Sequence, residues 1–504
     1  MSNIRVTYSG LIAFISGIVS VIFGLFFILI VTRSLSPEEY GTWGLLFSIV
    51  SYMVISETIF SYWSVRQISR GKNIGKTSIL SSSLLSIVIL PMFVLYVFFV
   101  SENTEAKFEI LLLGIILIPV SVISQSLSAI NLGYKPHVIG YSQIIFQSIK
   151  IPAVFITLLV FDLSVFGIIL SILIALLGKI ILLFYYAIPK LKDKFNYQTL
   201  KYWIKTAWIP LFSIIPNYLV ALDIVIYSVI TGSVIGIAFY NVSYSIAAIV
   251  QHSGTISQAL YPKLLAEKNF GGIKKILNQI SYFAILLVGI SIVFSKPALF
   301  ALNPLYENAW PIVLVLSFKV SIQAFRTIPL SIITGTEQVD SENNPRFSRL
   351  IKSNLFKLPK ILIIFNSLYI LILVIFLQFF SNSFSELDLV FWWALIGLFI
   401  EIPTSLFLWI YSRKYIKISF PISNPLKYLL AISIMIAFFM YSSNFILNYE
   451  PSIYDFLPSL LLDLILCVGI YIGITYLFDN DTRKLLTSIL NELKSIIPRK
   501  NSSS

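Results

Sequence analysis

Lys319 and Arg326 lie seven positions apart inside one apolar run. Two turns of helix would put both cations on one face, about 10 Å apart along its axis. Lys150 and Lys179 interrupt two other apolar runs, and Glu57, Asp223, Glu401, Asp463 and His252 interrupt further ones. An ionisable side chain in hydrocarbon costs a few kcal/mol on insertion scales and normally faces a wet cavity or a partner. Lys319, Arg326, Lys150 and Lys179 are therefore the candidate substrate-binding residues, lining a cationic cavity. Arginine grips a phosphate-like anion through two parallel hydrogen bonds, whereas lysine acts as a movable point charge. Asp223, Glu57, Glu401 and His252 are candidates for coupling to a proton or Na+, or for counter-ion roles. The competing reading makes the same residues structural ion pairs, with the lysines snorkelling.

Other chemistry finds little to build on. Cys467 stands alone and the two histidines, His137 and His252, are far apart, so neither a disulfide framework nor a Cys/His metal centre is expected. GKNIGKTS, from Gly71, has three residues between its glycines where a phosphate-binding loop needs four, and it follows an apolar run where that loop follows a strand. No catalytic residues and no cofactor are expected, apart from a coupling proton or Na+.

These residues must be positioned by membrane helices. Only 12% of the 504 residues are charged and the mean hydropathy is +0.89, against roughly one quarter charged in soluble domains. About 20 apolar residues cross about 30 Å of hydrocarbon. Runs of that order start near Leu11, Trp43, Ile79, Phe108, Val138, Ser164, Ala207, Ile237, Leu277, Trp310, Pro359, Leu389, Leu426 and Phe456. They predict an all-α polytopic membrane protein of about fourteen spans.

Lysine and arginine sort between the connecting loops by parity. One set contains Arg66, Arg70, Lys72, Lys76, the lysines from Lys190 to Lys205, Arg346 to Lys360, Arg413 to Lys427 and a basic tail; the other is mainly acidic, with Glu38, Glu39, Glu102, Glu105, Glu307, Glu386 and Glu450. Positive segments stay cytoplasmic, so both termini are expected inside, in the plasma membrane. The net charge of +13 then reflects topology and anionic membrane lipids, and nucleic acid is not expected as a partner.

Between the first two spans, TRSLSPEEYG reads as a tight outer hairpin: Ser36 suits an N-cap, Pro37 the first helical position and Glu39 the third, which completes a capping box. Offset by 197 residues, SPEEYGTWGLLFSIVSYMVISETIF aligns without gaps to the stretch from Ser233, pairing Trp43 with Tyr240, Ser48 with Ser245 and Thr58 with Thr255. Span 2 is thus the counterpart of span 8, and the two repeats share one orientation, related by an axis along the membrane normal. The expected organisation is an N-lobe of six spans (1–189), an interfacial linker (190–206), a six-span C-lobe (207–411), and a C-terminal helix pair with a cytoplasmic amphipathic tail (412–504). In the linker, Leu200, Trp203 and Ile204 are expected on one helix side; in the tail, Asp481 is expected as the N-cap.

A first span ending VTRSLSPEEYGTWGL, a seventh containing LDIVIYSVITGSVIGIAFYNVSYSI and an eighth ending QALYPKLLAE resemble the polysaccharide transporters, or Wzx-type oligosaccharide flippases, of the multidrug/oligosaccharidyl-lipid/polysaccharide (MOP) exporter superfamily. The resemblance covers the whole chain; the loop GTEQVDSENNPRFSRLIKSNLFK is longer and more polar than the family pattern. It implies two six-helix bundles around a central cavity that move lipid-linked oligosaccharide from the inner to the outer leaflet by alternating access. It implies a multi-pass transporter, not an enzyme, with partners among the glycosyltransferases, polymerase or oligosaccharyltransferase of the same pathway. Asp223 matches the acidic position of the family's seventh span. Two alternatives stand beside this reading: a cation-coupled multidrug or small-molecule exporter of the same superfamily, and a membrane-embedded glycosyltransferase or polysaccharide polymerase. The enzyme would need a large outer domain bearing acid/base carboxylates, and the outer loops are short.

Overall fold

The computed structural model describes residues 20, 23–259, 273–336, 352–416 and 423–487 apart from 485. These residues are helical with no strands. Twelve helices are long and apolar enough to cross a membrane. In chain order they are span 2 (Pro37–Ser69), 3 (Gly75–Glu102), 4 (Phe108–Tyr134), 5 (His137–Val160), 6 (Ser164–Lys190), 7 (Trp208–Thr231), 9 (Ile273–Val293), 10 (Pro304–Gly335), 11 (Phe356–Phe380), 12 (Glu386–Ser412), 13 (Ser423–Ile446) and 14 (Ile453–Phe478). Span 1 is described over Phe23–Ser34. Span 8 runs as α-helix over Ile235–Ala247 and continues as 3-10 helix over Ala248–Ala259. Together these are the fourteen spans expected.

Local chemistry sets the ends as the sequence predicts. Ser36 Oγ accepts from the Glu39 amide (3.2 Å) and Glu39 Oε2 accepts from the Ser36 amide (3.0 Å), so the capping box is complete. The other oxygen of Glu39 accepts from Ser164 Oγ, so the cap also ties span 2 to the start of span 6. Gly232 ends span 7 with φ of 76°, a left-handed turn that costs glycine nothing. The Gly71–Ser78 segment is a helix junction: Lys190 Nζ donates to Asn73 Oδ1 (2.7 Å), and a Cβ at Gly75 would meet Lys190 O at 2.6 Å.

Spans 2 and 8 cross where both carry small residues. A Cβ added at Gly41 would stand 1.9 Å from Val234 O, and one at Gly44 would stand 2.4 Å from Asn241 Nδ2. Gly44 and Asn241 are one another's counterparts in the 197-residue repeat. A residue touching its own counterpart lies beside the axis relating the two halves, as in any isologous contact. Small residues let the backbones close up there. Gly41→Ala is expected to cost about 1–3 kcal/mol by overpacking, measured as a fall in Tm of the detergent-solubilised chain; an unchanged Tm would contradict the close crossing.

The chain forms two compact units, one of Met1–Val242 with Leu350–Ile396 and the other of Ser243–Arg349 with Gly397–Ser504. The first unit's core includes Phe60, Leu127, Ile130, Leu183 and Trp203. Trp203 belongs to the linker helix Tyr197–Lys205, which Asn196 caps by accepting from the Thr199 amide (3.0 Å). Trp203 is fully buried and Leu200 packs beside it, but Ile204 is 60% exposed. Leu200, Trp203 and Ile204 share one helix side, with Trp203 turned into the core and Ile204 left uncovered by protein.

In the second unit, span 9 packs against spans 13 and 14 through Tyr282, Ile432, Met435, Phe456, Cys467 and Tyr471. After span 14 the N-cap is Asp479, not Asp481: Asp479 Oδ2 accepts from the Thr482 amide (2.9 Å) and hydroxyl (2.8 Å) and from Tyr428 Oη (3.0 Å), while Oδ1 faces Lys427 Nζ at 3.2 Å. Burial opposes the charge on Asp479, but the Thr482, Tyr428 and Lys427 donors outweigh it and hold the carboxyl below its ordinary range. Asp481 instead accepts from Asn278 and Asn424. The tail beyond residue 487 and most of the polar loop between spans 10 and 11 lie outside the described residues.

Candidate substrate and coupling sites

Lys150 stands near the middle of span 5. Its ammonium lies 4.2 Å from the ring centroid of Phe27 in span 1 and 5.3 Å from that of Phe146, one turn earlier. Lys179 of span 6 reaches the same Phe146 ring at 5.9 Å. Lys150 is only 9% exposed and Lys179 is half-buried. Among the described residues neither forms an ion pair with a carboxylate. Aromatic faces repay part of the desolvation of an ammonium, at about 0.5–2 kcal/mol each, but they leave its charge uncancelled. The spacing of the two lysines along the sequence gave no sign that a single phenylalanine would bridge them.

Lys319 and Arg326 share a face of span 10, as their spacing predicts. Glu401 of span 12 meets that face. Arg326 Nη1 lies 2.9 Å from Glu401 Oε1, in ion-pair contact without hydrogen-bond alignment, and Gln323 Nε2 donates to Oε2 at 3.1 Å. Lys319 is buried against Gly397, where a Cβ would come 2.7 Å from Nζ, and its charge also acts on Glu401. This corner of the second unit is consequently a network of mixed sign. Gln323 was missed by a search for ionisable residues, although it lies one turn from both cations.

Asp223 of span 7 is enclosed by aromatic donors. Its Oδ2 accepts from Tyr369 Oη of span 11 (2.7 Å) and from Trp393 Nε1 of span 12 (3.2 Å), and its Oδ1 accepts from the Ile224 amide (2.8 Å). The Trp393 indole is stacked between Tyr227 (5.0 Å) and Tyr240 (4.0 Å). Each ring is fully or almost fully buried. The arrangement holds a carboxylate by hydrogen bonds within a packed aromatic core.

Glu57 is fully buried in the single 3-10 turn, Ile55–Glu57, that interrupts span 2. It accepts from Ser61 Oγ and from Ser82 Oγ of span 3 (2.9 Å). His252 lies exposed in the 3-10 part of span 8. Asp463 of span 14 is fully buried and accepts from Ser442 Oγ of span 13 (2.6 Å). The structure therefore distributes the candidates. Lys150 and Lys179 form one group, Lys319, Arg326 and Glu401 a second, and Asp223 and Glu57 each keep separate surroundings. Among the described residues no group of three His, Cys, Asp or Glu side chains could hold a metal ion.

No family model matches this sequence, and no curated protein does. Solved structures do. A lipid II flippase, MurJ in an inward closed conformation, aligns over 94% of this chain and 99% of its own, with a TM-score of 0.66 and 17% identity. An inward-facing multidrug resistance MATE transporter of the MOP superfamily aligns over 79% of this chain and 95% of its own, with a TM-score of 0.60 and 11% identity. A MOP superfamily transporter from Pyrococcus furiosus aligns over 82% of this chain and 96% of its own, with a TM-score of 0.54 and 12% identity. The chain has the helical membrane fold of these solved transporters.

Proposed function

We propose that this chain is a transporter that carries lipid-linked oligosaccharides, with a polyprenyl or dolichyl phosphate or pyrophosphate, from the cytoplasmic to the outer leaflet of the plasma membrane. The observation that carries the reading is the pair Lys150 and Lys179, two cations on one aromatic wall with no carboxylate paired to them among the described residues. A phosphate crossing the bilayer loses its water, and an uncancelled cation in a partly desolvated site replaces that solvation. Lys319 and Arg326 stay in the proposal as a second cationic pair, partly neutralised by Glu401. The flippase match extends over 94% of the chain, the MATE match over 79% and the Pyrococcus furiosus transporter match over 82%, and this difference favours the flippase reading.

In this reading the N-lobe (1–189) and C-lobe (207–411) rock about a shared site in alternating access, both termini are cytoplasmic, and the basic loops face anionic lipid. Pathway glycosyltransferases and a polymerase or oligosaccharyltransferase supply or consume the cargo. No enzymatic step is assigned. The test is deletion of the gene followed by location of radiolabelled lipid-linked oligosaccharide. The expected result is completed oligosaccharide trapped on the inner leaflet, released by the wild-type chain. The fold match to MATE transporters favours one second reading, a cation-coupled exporter; normal glycan export with an altered drug-sensitivity profile would replace the flippase by it. Unextended chains accumulating on the outer leaflet would instead indicate a glycosyltransferase or polymerase.

A further inference from the structure

The 3-10 turn Ile55–Glu57 in span 2 and the 3-10 segment Ala248–Ala259 in span 8 are related by the internal repeat. The 197-residue offset carries Ile55–Glu57 onto 252–254, inside that segment. The two 3-10 segments therefore overlap in register, although span 8 leaves the α-helix at Ala248, the counterpart of Ser51, four residues before span 2 does. The counterpart of Glu57 is Gly254, where an added Cβ would meet Ala324 Cα at 3.1 Å. A carboxylate has been placed at one of two equivalent breaks, in a position with no exposure to solvent.

Among the described residues its hydrogen-bond partners are hydroxyls and it forms no ion pair. Glu57 accepts from Ser61 and from Ser82. One turn from Ser82 towards the Gly75 end of span 3, Ser78 Oγ accepts from Ser64 Oγ (2.6 Å) and lies 3.1 Å from Ser126 Oγ of span 4. Thr77 Oγ1, beside it, accepts from the Asn196 amide at the start of the linker helix (3.0 Å). Thr77, Ser78, Ser81, Ser82 and Ser86 are all buried, and among the described residues Ser81 Oγ has no hydrogen-bond partner. This hydroxyl face rises by about 6 Å between Ser78 and Ser82 and ends where Lys72 and Lys76 are exposed.

Titratable groups on the neighbouring elements are engaged elsewhere. Tyr52 donates to Tyr218 O (2.5 Å), Asp223 holds Tyr369 and Trp393, Arg66 lies over the Tyr62 ring (4.4 Å), and Tyr202 packs edge-on against Trp63. Span 4 carries no ionisable side chain between Gly114 and Gly133. A charge at Glu57 would thus be buried without a counter-charge, while a protonated carboxyl would be matched by the serines. A hydroxyl both donates and accepts, so Ser61 and Ser82 can each turn a donor or an acceptor toward the carboxyl as it loses or gains a proton.

We propose that Glu57 is a proton-binding site set in the break of span 2, its carboxyl held by the Ser61 and Ser82 hydroxyls. It goes beyond the proposed function and does not depend on the cargo. The test is infrared difference spectroscopy of the purified full chain during a pH titration, reading the C=O stretch of a protonated carboxylic acid. Wild type is expected to show a band that is lost as pH rises, absent throughout in Glu57→Gln, moved in Glu57→Asp, shifted in frequency in Ser82→Ala and retained in Asp463→Asn. A Glu57→Gln spectrum superimposable on wild type at every pH would overturn the proposal, as would a band removed by Asp463→Asn alone. If the band behaves as expected in a chain that moves no lipid-linked oligosaccharide, the proposed function fails and the proton site stands.

Discussion

Replacing Lys150 and Lys179 together by alanine is expected to lower export of lipid-linked oligosaccharide by about 100-fold or more, in a chain that remains folded and inserted. Each charge-assisted contact to a phosphate is worth roughly 1.5–3 kcal/mol, and each 1.4 kcal/mol is a factor of about ten. Two lost contacts therefore reach that range. The stability outcome is the sharper sign. Lys150 has no carboxylate among the described residues to leave stranded, only the Phe27 and Phe146 rings. Losing these contacts is offset by no longer burying an ammonium, so Tm in detergent is expected to hold or rise. A double variant that exports normally would remove these lysines from the site. One that loses export only because it unfolds would make them structural.

Arg326→Ala is expected to do the reverse, destabilising the chain by about 3–5 kcal/mol, because it leaves Glu401 buried beside Gln323 without its ion-pair partner. Arg326→Leu combined with Glu401→Leu is expected to restore stability to within about 1–2 kcal/mol of wild type, since two apolar side chains replace a pair whose desolvation nearly cancels its attraction. The measurement is a thermal unfolding cycle of the two single variants and the double variant in detergent. If the Arg326 variant matches wild type, the ion pair contributes little. If the double variant is stable but inactive, Arg326 serves the cargo as well as Glu401.

The helical architecture was readable because membrane helices are specified by one coarse property, apolar length. The Ser36/Glu39 capping box was readable because both bonds are local. Even the repeat was visible, and the contact between Gly44 and its counterpart Asn241 gives it a physical place in the fold. Tertiary pairing was less legible. Arg326 and Glu401 are 75 positions apart, and nothing local to either names the other. The Phe146 ring shared by Lys150 and Lys179 depends on how spans 5 and 6 rotate about their axes, which an almost uniformly apolar sequence does not encode. Asp479 displaced Asp481 as a cap for a similar reason: Tyr428 and Lys427, brought in from span 13, settle which of two nearby acids is held.

The proposed cargo is lipid-linked oligosaccharide. The most direct test is to reconstitute the purified chain in vesicles holding a fluorescent polyprenyl-pyrophosphate oligosaccharide and to follow how much becomes accessible to an impermeant quencher. Accessibility is expected to rise with the wild-type chain and to stay at the protein-free level with the Lys150/Lys179 double-alanine variant. Equal accessibility with wild type and with empty vesicles, in a preparation that does transport a cationic drug, would contradict this cargo.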